Sequence, residues 1–428
     1  MAYTKVVVVG GGFGGLRVVQ RLKKAEMDVF LVDKTNHHLF QPLLYQVASA
    51  ALSPADIAVP LREIFRSHKN TTVMMGDVVD IDKEKRLIRL GNGDTLNYDY
   101  LVLAVGARHS YFGHDEWEAL APGLKTVKDA LTIREHILMS FEKAERQDSV
   151  SKAAKYLNFI IIGAGPTGVE MAGAIAEIAY KTMFKNFRRI NPKKSKIYLI
   201  EGAPRVLPPY PSSLSKRAKQ DLEEMGVKVL TEKLVTDISD EGVRIGETLI
   251  EGHNVIWAAG NQASPLLRKL DIPLDRQGRA LVEEDLSIPD YPEIFVIGDA
   301  ASTKDKKGQI LPGIAPVAIQ MGSYVSKIIK NETPKEKRRK FNYFDKGSLA
   351  TIGRLKAVGY FRGLKFTGFL AWVIWGGLHV AYLIGFRNRF SVMLEWFFHY
   401  ITGTRGARLI NRCIEEESKT DTPSNLTL

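Results

Sequence analysis

Residues 4–33 constrain this chain more than any other stretch. Lys5-Val6-Val7-Val8-Val9 is a β-branched run, too short for a helix and apolar on both faces, which predicts a buried parallel strand. Gly10-Gly11-Gly12-Phe13-Gly14-Gly15 follows without a break, and the apolar periodicity from Leu16 to Leu22 predicts a helix. A second strand over 28–32 leads into Asp33. Strand, G-x-G-x-x-G, helix, strand and acid, in that order, make a dinucleotide-binding unit. Gly10 permits the tight turn, Gly12 lets a pyrophosphate approach the backbone, and Gly15 lets helix and strand pack closely. The helix N-terminus offers N–H donors and the positive end of its dipole to that phosphate. Asp33 is placed to accept from a ribose diol.

The pattern occurs twice. Leu157 to Ile162 predicts a buried strand, and Gly163-Ala164-Gly165-Pro166-Thr167-Gly168 repeats the glycine spacing. A helix over 167–179 carries Glu170, and the next strand, 196–200, ends in Glu201. Each copy also has a late apolar strand ending in a glycine turn. In the first it is residues 98–107, with Ala104 and Gly106; in the second it is 254–260, with Ala259 and Gly260. Two copies predict two dinucleotides on one polypeptide. A nicotinamide cofactor with FAD is the pairing that makes chemical sense, because a hydride passes from the first to the second. Glu201 stands where a ribose 2′-OH is read and would repel a 2′-phosphate, favouring NADH; Arg205 just beyond it leaves that exclusion incomplete. A third apolar strand over 293–297 ends in Gly298-Asp299, at the edge where α/β sheets bind ligands, although an Asp there also serves as a helix N-cap.

Length and charge set the bounds. With 428 residues the expectation is two or three domains, and 45% hydrophobic residues suffice for a large core. A net charge of +12 asks for nucleic acid, an anionic membrane face or acidic substrates. There is no nucleic-acid motif, which leaves the membrane, and no metal is called for. The single cysteine, Cys413, excludes any redox mechanism that runs through a cysteine pair and suits a reducing compartment. No signal peptide precedes the first strand, so the bulk of the chain is expected in the cytoplasm.

Residues 34–48, with Lys34, Gln41 and Leu43, predict a loop leading into a short helix; its aromatics and amides line a cofactor or pack on the core. Residues 73–90 predict short antiparallel strands with a hairpin turn at Asn92-Gly93-Asp94, and 120–150 a helical connector. The basic run 335–340 is either a solvated surface or an attraction for anionic lipid. Residues 366–386 are apolar enough to span a bilayer, but Gly376-Gly377 interrupts the middle, His379 sits inside, and Trp372, Trp375 and Tyr382 are interior rather than at two ends. A second amphipathic stretch over 390–400 follows basic Arg387 and Arg389, which favours a pair of helices lying in the interface over a single span or a buried pair. The tail beyond Cys413 is polar and expected to be disordered.

Taken together, the chain resembles the two-dinucleotide-binding-domain flavoproteins, and among them the type II NADH:quinone oxidoreductases, which are single-subunit and do not pump protons. The closer likeness rests on Asn36 to Tyr45 (NHHLFQPLLY), Gly163 to Glu170 (GAGPTGVE) and Leu311 to Gln320 (LPGIAPVAIQ). It covers about residues 1–400. The resemblance implies an α/β fold of two Rossmann-like domains, the second inserted in the first, with a C-terminal membrane-associated helical segment. The expected division is 1–154 and 266–345 for FAD, 155–265 for NADH, 346–410 for the membrane anchor and 411–428 for a polar tail. FAD is expected on Gly10, Gly12, Phe13, Gly14, Gly15, Asp33, Lys34, Gln41, Leu43, Ala104 and Gly106, with Gly298, Asp299 and Ala318 closing the site. NADH is expected on Gly163, Gly165, Thr167, Gly168, Glu201, Ala259 and Gly260.

By the same resemblance Glu170 lies between nicotinamide and flavin, placing the cofactor or handling a proton; as a bare residue it is a first-turn acid favouring the helix dipole. The family's quinone segment reads Ala-Gln-x-Ala-x-Gln, and Pro316 here replaces its first Gln, leaving Gln320 as the polar contact. The expected activity passes hydride from NADH to FAD and two electrons to a membrane quinone. The expected partners are that quinone, a phospholipid surface and, by family likeness, a second copy in a homodimer, on the cytoplasmic face of the cell inner membrane as a monotopic protein. Rivals are a soluble NAD(P)H-dependent ferredoxin-type reductase and a flavin-binding signalling protein. A sulfide:quinone oxidoreductase fails for want of a cysteine pair.

Overall fold

The computed structural model describes residues 3–410. The principal strands are β1 (Thr4–Val9), β2 (Met27–Asp33), β3 (Thr71–Met75), β4 (Tyr100–Leu103), β5 (Asn158–Ile162), β6 (Lys196–Ile200), β7 (Val227–Leu230), β8 (Asn254–Trp257) and β9 (Tyr291–Val296). The principal helices are α1 (Phe13–Leu22), α2 (Leu44–Ala48), α3 (Val127–Glu145), α4 (Pro166–Glu177), α5 (Ala315–Lys330), α6 (Gly368–Tyr382) and α7 (Phe386–Thr402). They fall into two compact units. The first holds 1–39, 58–110 and 260–346; the second holds 40–57, 111–259 and 347–428.

The first unit is built on the parallel order β9-β4-β1-β2-β3, with Ser287–Ile288 added antiparallel beyond β9. Val6, Val7 and Val8 of the central β1 are completely buried, as a strand covered on both faces requires. Helix α5 packs against α1, and Arg17 Nε donates to Ser323 Oγ at 2.9 Å across that contact. The hairpin at Asn92-Gly93-Asp94 forms as expected. Residues 71–75 do not join it; they pair parallel to β2 as the sheet edge, because Val29 to Asp33 offers them a free edge in register. The basic run is not a free lipid-seeking surface. Arg338 is 5% exposed and donates to Asp285 at 3.0 Å, Lys335 donates to the same carboxylate at 2.8 Å, and Lys340 pairs with Glu284.

The second unit carries the four-stranded parallel sheet β7-β6-β5-β8. It begins at Tyr111, earlier than residue 155. Helix α3 starts with a capping box between Thr126 and Asp129, and Ser140 on it bonds Asn254 of β8. Trp257 N also donates to Pro122 O. The connector is therefore held by the second sheet. Residues 347–410 likewise belong to this unit rather than standing apart. A three-stranded antiparallel sheet (Ser348–Gly353, Lys356–Phe361 and Leu364–Thr367) lies on α4, where a Cβ on Gly173 would come 1.6 Å from Ile352 O. Helices α6 and α7 follow.

Gly376-Gly377 does not interrupt α6, which runs unbroken through it. A Cβ on Gly376 would stand 3.6 Å from the Trp396 ring of the neighbouring helix, an ordinary contact. Only Ala371 and Trp375 of α6 and Asn388 and Val392 of α7 are buried. No helix among the described residues is long and apolar enough to cross a membrane. Cys413 and the polar tail lie outside the described residues.

Candidate functional site

Both glycine turns are built alike, and for the same steric reasons. Gly10 has φ +103° and Gly163 φ +98°, with a Cβ at Gly10 falling 2.3 Å from Ala104 O and one at Gly163 falling 2.7 Å from Ala259 N. Any side chain there would both strain the backbone and collide with the next strand. A Cβ on Gly15 would lie 1.9 Å from Gly10 O, and one on Gly168 1.8 Å from Gly163 O, so the third glycine of each set fixes helix against strand. Gly12 and Gly165 are different: a Cβ there meets nothing within 4 Å. They are the N-caps of α1 and α4 and lack any side-chain cap, so the first-turn N–H groups face open space sized for a phosphate. Phe13 and Gly14 begin α1, and Thr167 lies in the first turn of α4.

The two acids also match. Asp33 Oδ2 accepts from Gly11 N at 2.5 Å, and its Oδ1 accepts from Thr35 N at 2.6 Å. Glu201 Oε2 accepts from Ala164 N at 2.6 Å and Oε1 from Ala203 N at 2.8 Å. Each carboxylate thus fastens its glycine turn and stands at the end of its strand, leaving acceptor capacity for a ribose. His38 is buried against the first turn: Nδ1 bonds Gly11 O at 2.9 Å, its ring meets Phe13 edge-on, and Nε2 has no hydrogen-bond partner among the described residues. Burial pushes its imidazolium down, against the pull of Gly11 O and Asp33. An orphaned ring nitrogen beside an open N-cap suits a nucleotide's hydroxyl or phosphate.

A cavity of about 280 Å³ opens in the first unit, lined by Gly298, Asp299, Ala107, Asn261 and Gly313. Ala318 borders it from α5, with its Cβ 3.3 Å from the position a Cβ on Gly298 would take. Gly106 and Gly260 turn with positive φ at this end of the unit. The N-terminal cradle, Ala104, Gly298, Asp299 and Ala318 all lie in the first unit. Lys34 is exposed beside Asp33. Gln41 and Leu43 fall in the second unit, and Leu43 is fully buried, so its side chain serves the core.

Gln320 is tied to the chain around Phe344: its Nε2 donates to Phe344 O and its Oε1 accepts from Phe344 N, both at 2.9 Å. One amide N–H and one carbonyl lone pair remain beyond these two bonds.

The second unit encloses a polar cavity lined by Glu170, Tyr45, Gln46, Glu177, Tyr400 and Arg405. Residues 44–48 supply α2, helix α4 supplies Glu170 and Glu177, and α7 with the segment after it supplies the rest. Burial pushes the Glu170 carboxyl well above the ordinary range, and the Thr351 N–H opposes this only in part. Burial, then the charge of Glu170, raises the Tyr45 phenol; burial, then Glu177, raises that of Tyr400. Three acidic groups, each shifted upward chiefly by burial, thus face one cavity. Arg405 donates to Ser49 O and to Glu177, while its Nε is buried without a partner.

Fixed hydrogen bonds run into this cavity from α6 and α7. Trp396 Nε1 donates to Gln46 Oε1 at 2.7 Å, Gln46 Nε2 donates to Tyr45 Oη at 2.8 Å, and Trp372 Nε1 donates to Tyr400 Oη at 3.1 Å. Of this set, sequence reasoning singled out Glu170 alone. Tyr45 ends the motif and Gln46 stands just beyond it, but the indole that bonds Gln46 lies 350 positions away on α7. Polar aromatic residues inside an apolar stretch, Trp372, Trp396 and Tyr400, were the available signal.

The family model for pyridine nucleotide-disulphide oxidoreductases matches residues 4–322, and that for the NDH2 C-terminal domain matches 346–405. Two curated relatives from Mycobacterium tuberculosis, the type II NADH:quinone oxidoreductases Ndh and NdhA, are 43% and 40% identical; the alignments cover 94% and 97% of this chain and 89% and 93% of theirs. A solved structure of NDH2 from Plasmodium falciparum in complex with NADH superposes with a TM-score of 0.87 at 22% identity, over 94% of this chain and 99% of that one, and shows the shared fold. Family model, long curated alignments and duplicated cradle agree: the chain belongs to the type II NADH:quinone oxidoreductases.

Proposed function

We propose that the first unit's cradle holds FAD, that the second unit's cradle presents NADH, and that the polar cavity of the second unit receives the quinone head group. The enzyme is a FAD-dependent oxidoreductase that oxidises NADH and reduces a quinone without pumping protons. FAD, when bound, supplies the two-electron relay between a hydride donor and the quinone. The rest is the work of this chain's residues. Gly10, Gly12 and Gly15 shape the turn against the FAD pyrophosphate, Asp33 and Asp299 hold hydroxyl groups, and Gly163, Gly165, Thr167 and Gly168 orient NADH. Glu201 receives the adenosine ribose of NADH and disfavours a 2′-phosphate.

The observation that carries the quinone assignment is the set of proton-bearing side chains lining one cavity, Glu170, Tyr45 and Tyr400, each pushed toward its protonated form by burial. A neutral carbonyl compound that becomes a hydroquinone needs donors and protons, and a carboxyl shifted in that direction suits both needs. Membrane association is supported by α6 and α7, where Phe369, Leu370, Phe386, Phe397, Phe398 and Ile401 are exposed on helices too short to cross a bilayer. Exposed large apolar side chains on two adjacent helices with basic Arg387 suit a surface anchor. The inner membrane's cytoplasmic face and a homodimer complete the reading.

The test is spectroscopic. Purified protein should be yellow, bleach with NADH faster than with NADPH, and recover colour with a quinone. Equal rates with both donors would overturn the Glu201 assignment, and bleaching without recovery would favour a flavin-binding protein that does not reduce quinones.

A further inference from the structure

We infer that Trp396 and Gln46 form a one-way hydrogen-bond chain that turns the Tyr45 hydroxyl proton into the second unit's cavity, making Tyr45 the donor that seats a carbonyl oxygen of the quinone. This rests on the reading that the cavity receives quinone.

Direction follows from the donor inventory. An indole N–H can only donate, so the atom of Gln46 that faces Trp396 at 2.7 Å is its carbonyl oxygen. The amide's other end is then the NH₂, which donates to Tyr45 Oη at 2.8 Å. With a lone pair of that oxygen occupied, the phenolic proton points elsewhere, and no acceptor for it stands among the described residues. Tyr45 is 8% exposed and Gln46 7% exposed, so water does not readily supply one, and both line the cavity. A buried hydroxyl with its proton unpaired is costly unless a ligand accepts it. Tyr400 is oriented in the same way. It accepts from Trp372 Nε1 at 3.1 Å, lines the same cavity, and lies close enough to Tyr45 for the two phenols to influence each other electrostatically. Two indoles, each from a surface helix, thus aim two phenols, and a quinone presents two carbonyl oxygens. Trp396 and Gln46 are positioning residues; Tyr45 alone of the three touches substrate.

The chain is tested with three single variants and one double variant in the full-length flavoprotein. For Tyr45→Phe, kcat/KM for a short-chain 1,4-naphthoquinone should fall about 10-fold, the size expected for losing one buried hydrogen bond. Flavin bleaching by NADH and turnover with ferricyanide, which needs no seated carbonyl, should stay unchanged. Trp396→Phe keeps a ring but removes the N–H and should lower the same ratio, while Tyr45→Phe with Trp396→Phe should be no worse than Tyr45→Phe alone. Gln46→Glu is decisive: a carboxylate can only accept, so it draws the Tyr45 proton out of the cavity and should match the Tyr45→Phe loss. Quinone affinity for the oxidised enzyme, read from perturbation of the flavin spectrum, should fall in parallel.

Additive losses in the double variant, or full quinone activity in Gln46→Glu with unchanged melting temperature, would overturn the inference. Failure of the underlying reading looks different: the unaltered enzyme would bleach with NADH and reduce ferricyanide but no quinone, and the inference would fall with it.

Discussion

Arg405 donates to Glu177 Oε2 at 3.0 Å, with the two side chains only 3% and 11% exposed. The pair joins the segment after α7 to the last turn of α4, and the same guanidinium bonds Ser49 O after α2. Three separate stretches of sequence therefore meet at one cation. Breaking a buried pair leaves the surviving charge without its partner, which costs about 3 kcal/mol or more. Glu177→Ala should lower unfolding free energy by about that amount, with Glu177→Gln costing less because it still accepts from Arg405. Urea denaturation followed by circular dichroism measures both. A change of under about 0.5 kcal/mol in Glu177→Ala would mean the pair does not hold these stretches together.

The second glycine of each turn separates folding from ligand binding. A Cβ at Gly12 or Gly165 meets nothing in the protein, whereas one at Gly15 or Gly168 collides with a backbone oxygen. Gly12→Ala should therefore fold with an ordinary circular dichroism spectrum and purify without yellow colour. Gly165→Ala should keep its flavin but show at least a 10-fold higher KM for NADH, since the methyl stands where the pyrophosphate approaches. Gly15→Ala should fail to yield folded protein. Full flavin occupancy in Gly12→Ala would show that the cradle does not lie against phosphate.

Both cradles were legible in the sequence because every requirement on them is local. Turn, N-cap and acid lie within about 40 residues, and the sterics of Gly10 and Gly163 admit no other residue. The polar cavity was not legible beyond Glu170, because Tyr45, Glu177, Tyr400 and Arg405 come together only through packing across hundreds of positions. Gln320 shows another non-local link. Its motif position marked a substrate contact, and the backbone 24 residues later also bonds its amide at both ends. The basic run misled for a similar reason: Asp285, whose side chain neutralises Lys335 and Arg338, lies 50 and 53 positions earlier. The unit boundary at Tyr111 depended on α3, whose attachment through Ser140 to Asn254 spans 114 positions.

Stability should respond to pH through Glu170. Burial raises its carboxyl above the ordinary glutamate value of 4.5, so the folded protein keeps a proton that the unfolded chain releases. The stabilising contribution is complete below about pH 4.5 and is lost as pH rises toward the folded value. Glu170→Gln stays neutral and escapes that loss. The melting temperature of the variant relative to the parent should therefore climb as pH rises above the ordinary glutamate value of 4.5, read by differential scanning fluorimetry in matched ionic strength. A constant difference across that range would mean that the carboxyl is not held protonated. Quinone reduction by the variant should fall at least 10-fold at neutral pH, because the amide occupies the same place but has no carboxyl proton to give.

The exposed face of α7 makes the membrane assignment testable without cutting the chain. Trp396 and Arg405 both line the polar cavity, so truncation before α6 would destroy the site as well as the anchor and would not discriminate. Phe397 and Phe398 are 57% and 58% exposed, their rings meet edge-on, and neither lines the cavity. Each buries an aromatic side chain worth about 1.5 to 3 kcal/mol if it enters a lipid surface, which is 10-fold or more in partitioning. Phe397→Ser with Phe398→Ser should therefore abolish co-sedimentation with anionic phospholipid vesicles. Flavin bleaching by NADH should be unchanged, and so should turnover with a water-soluble quinone. Turnover with a long-chain quinone presented in vesicles should drop steeply, because that substrate is delivered only to an enzyme seated on the bilayer. Undiminished sedimentation of the double variant would place the membrane contact elsewhere on the molecule.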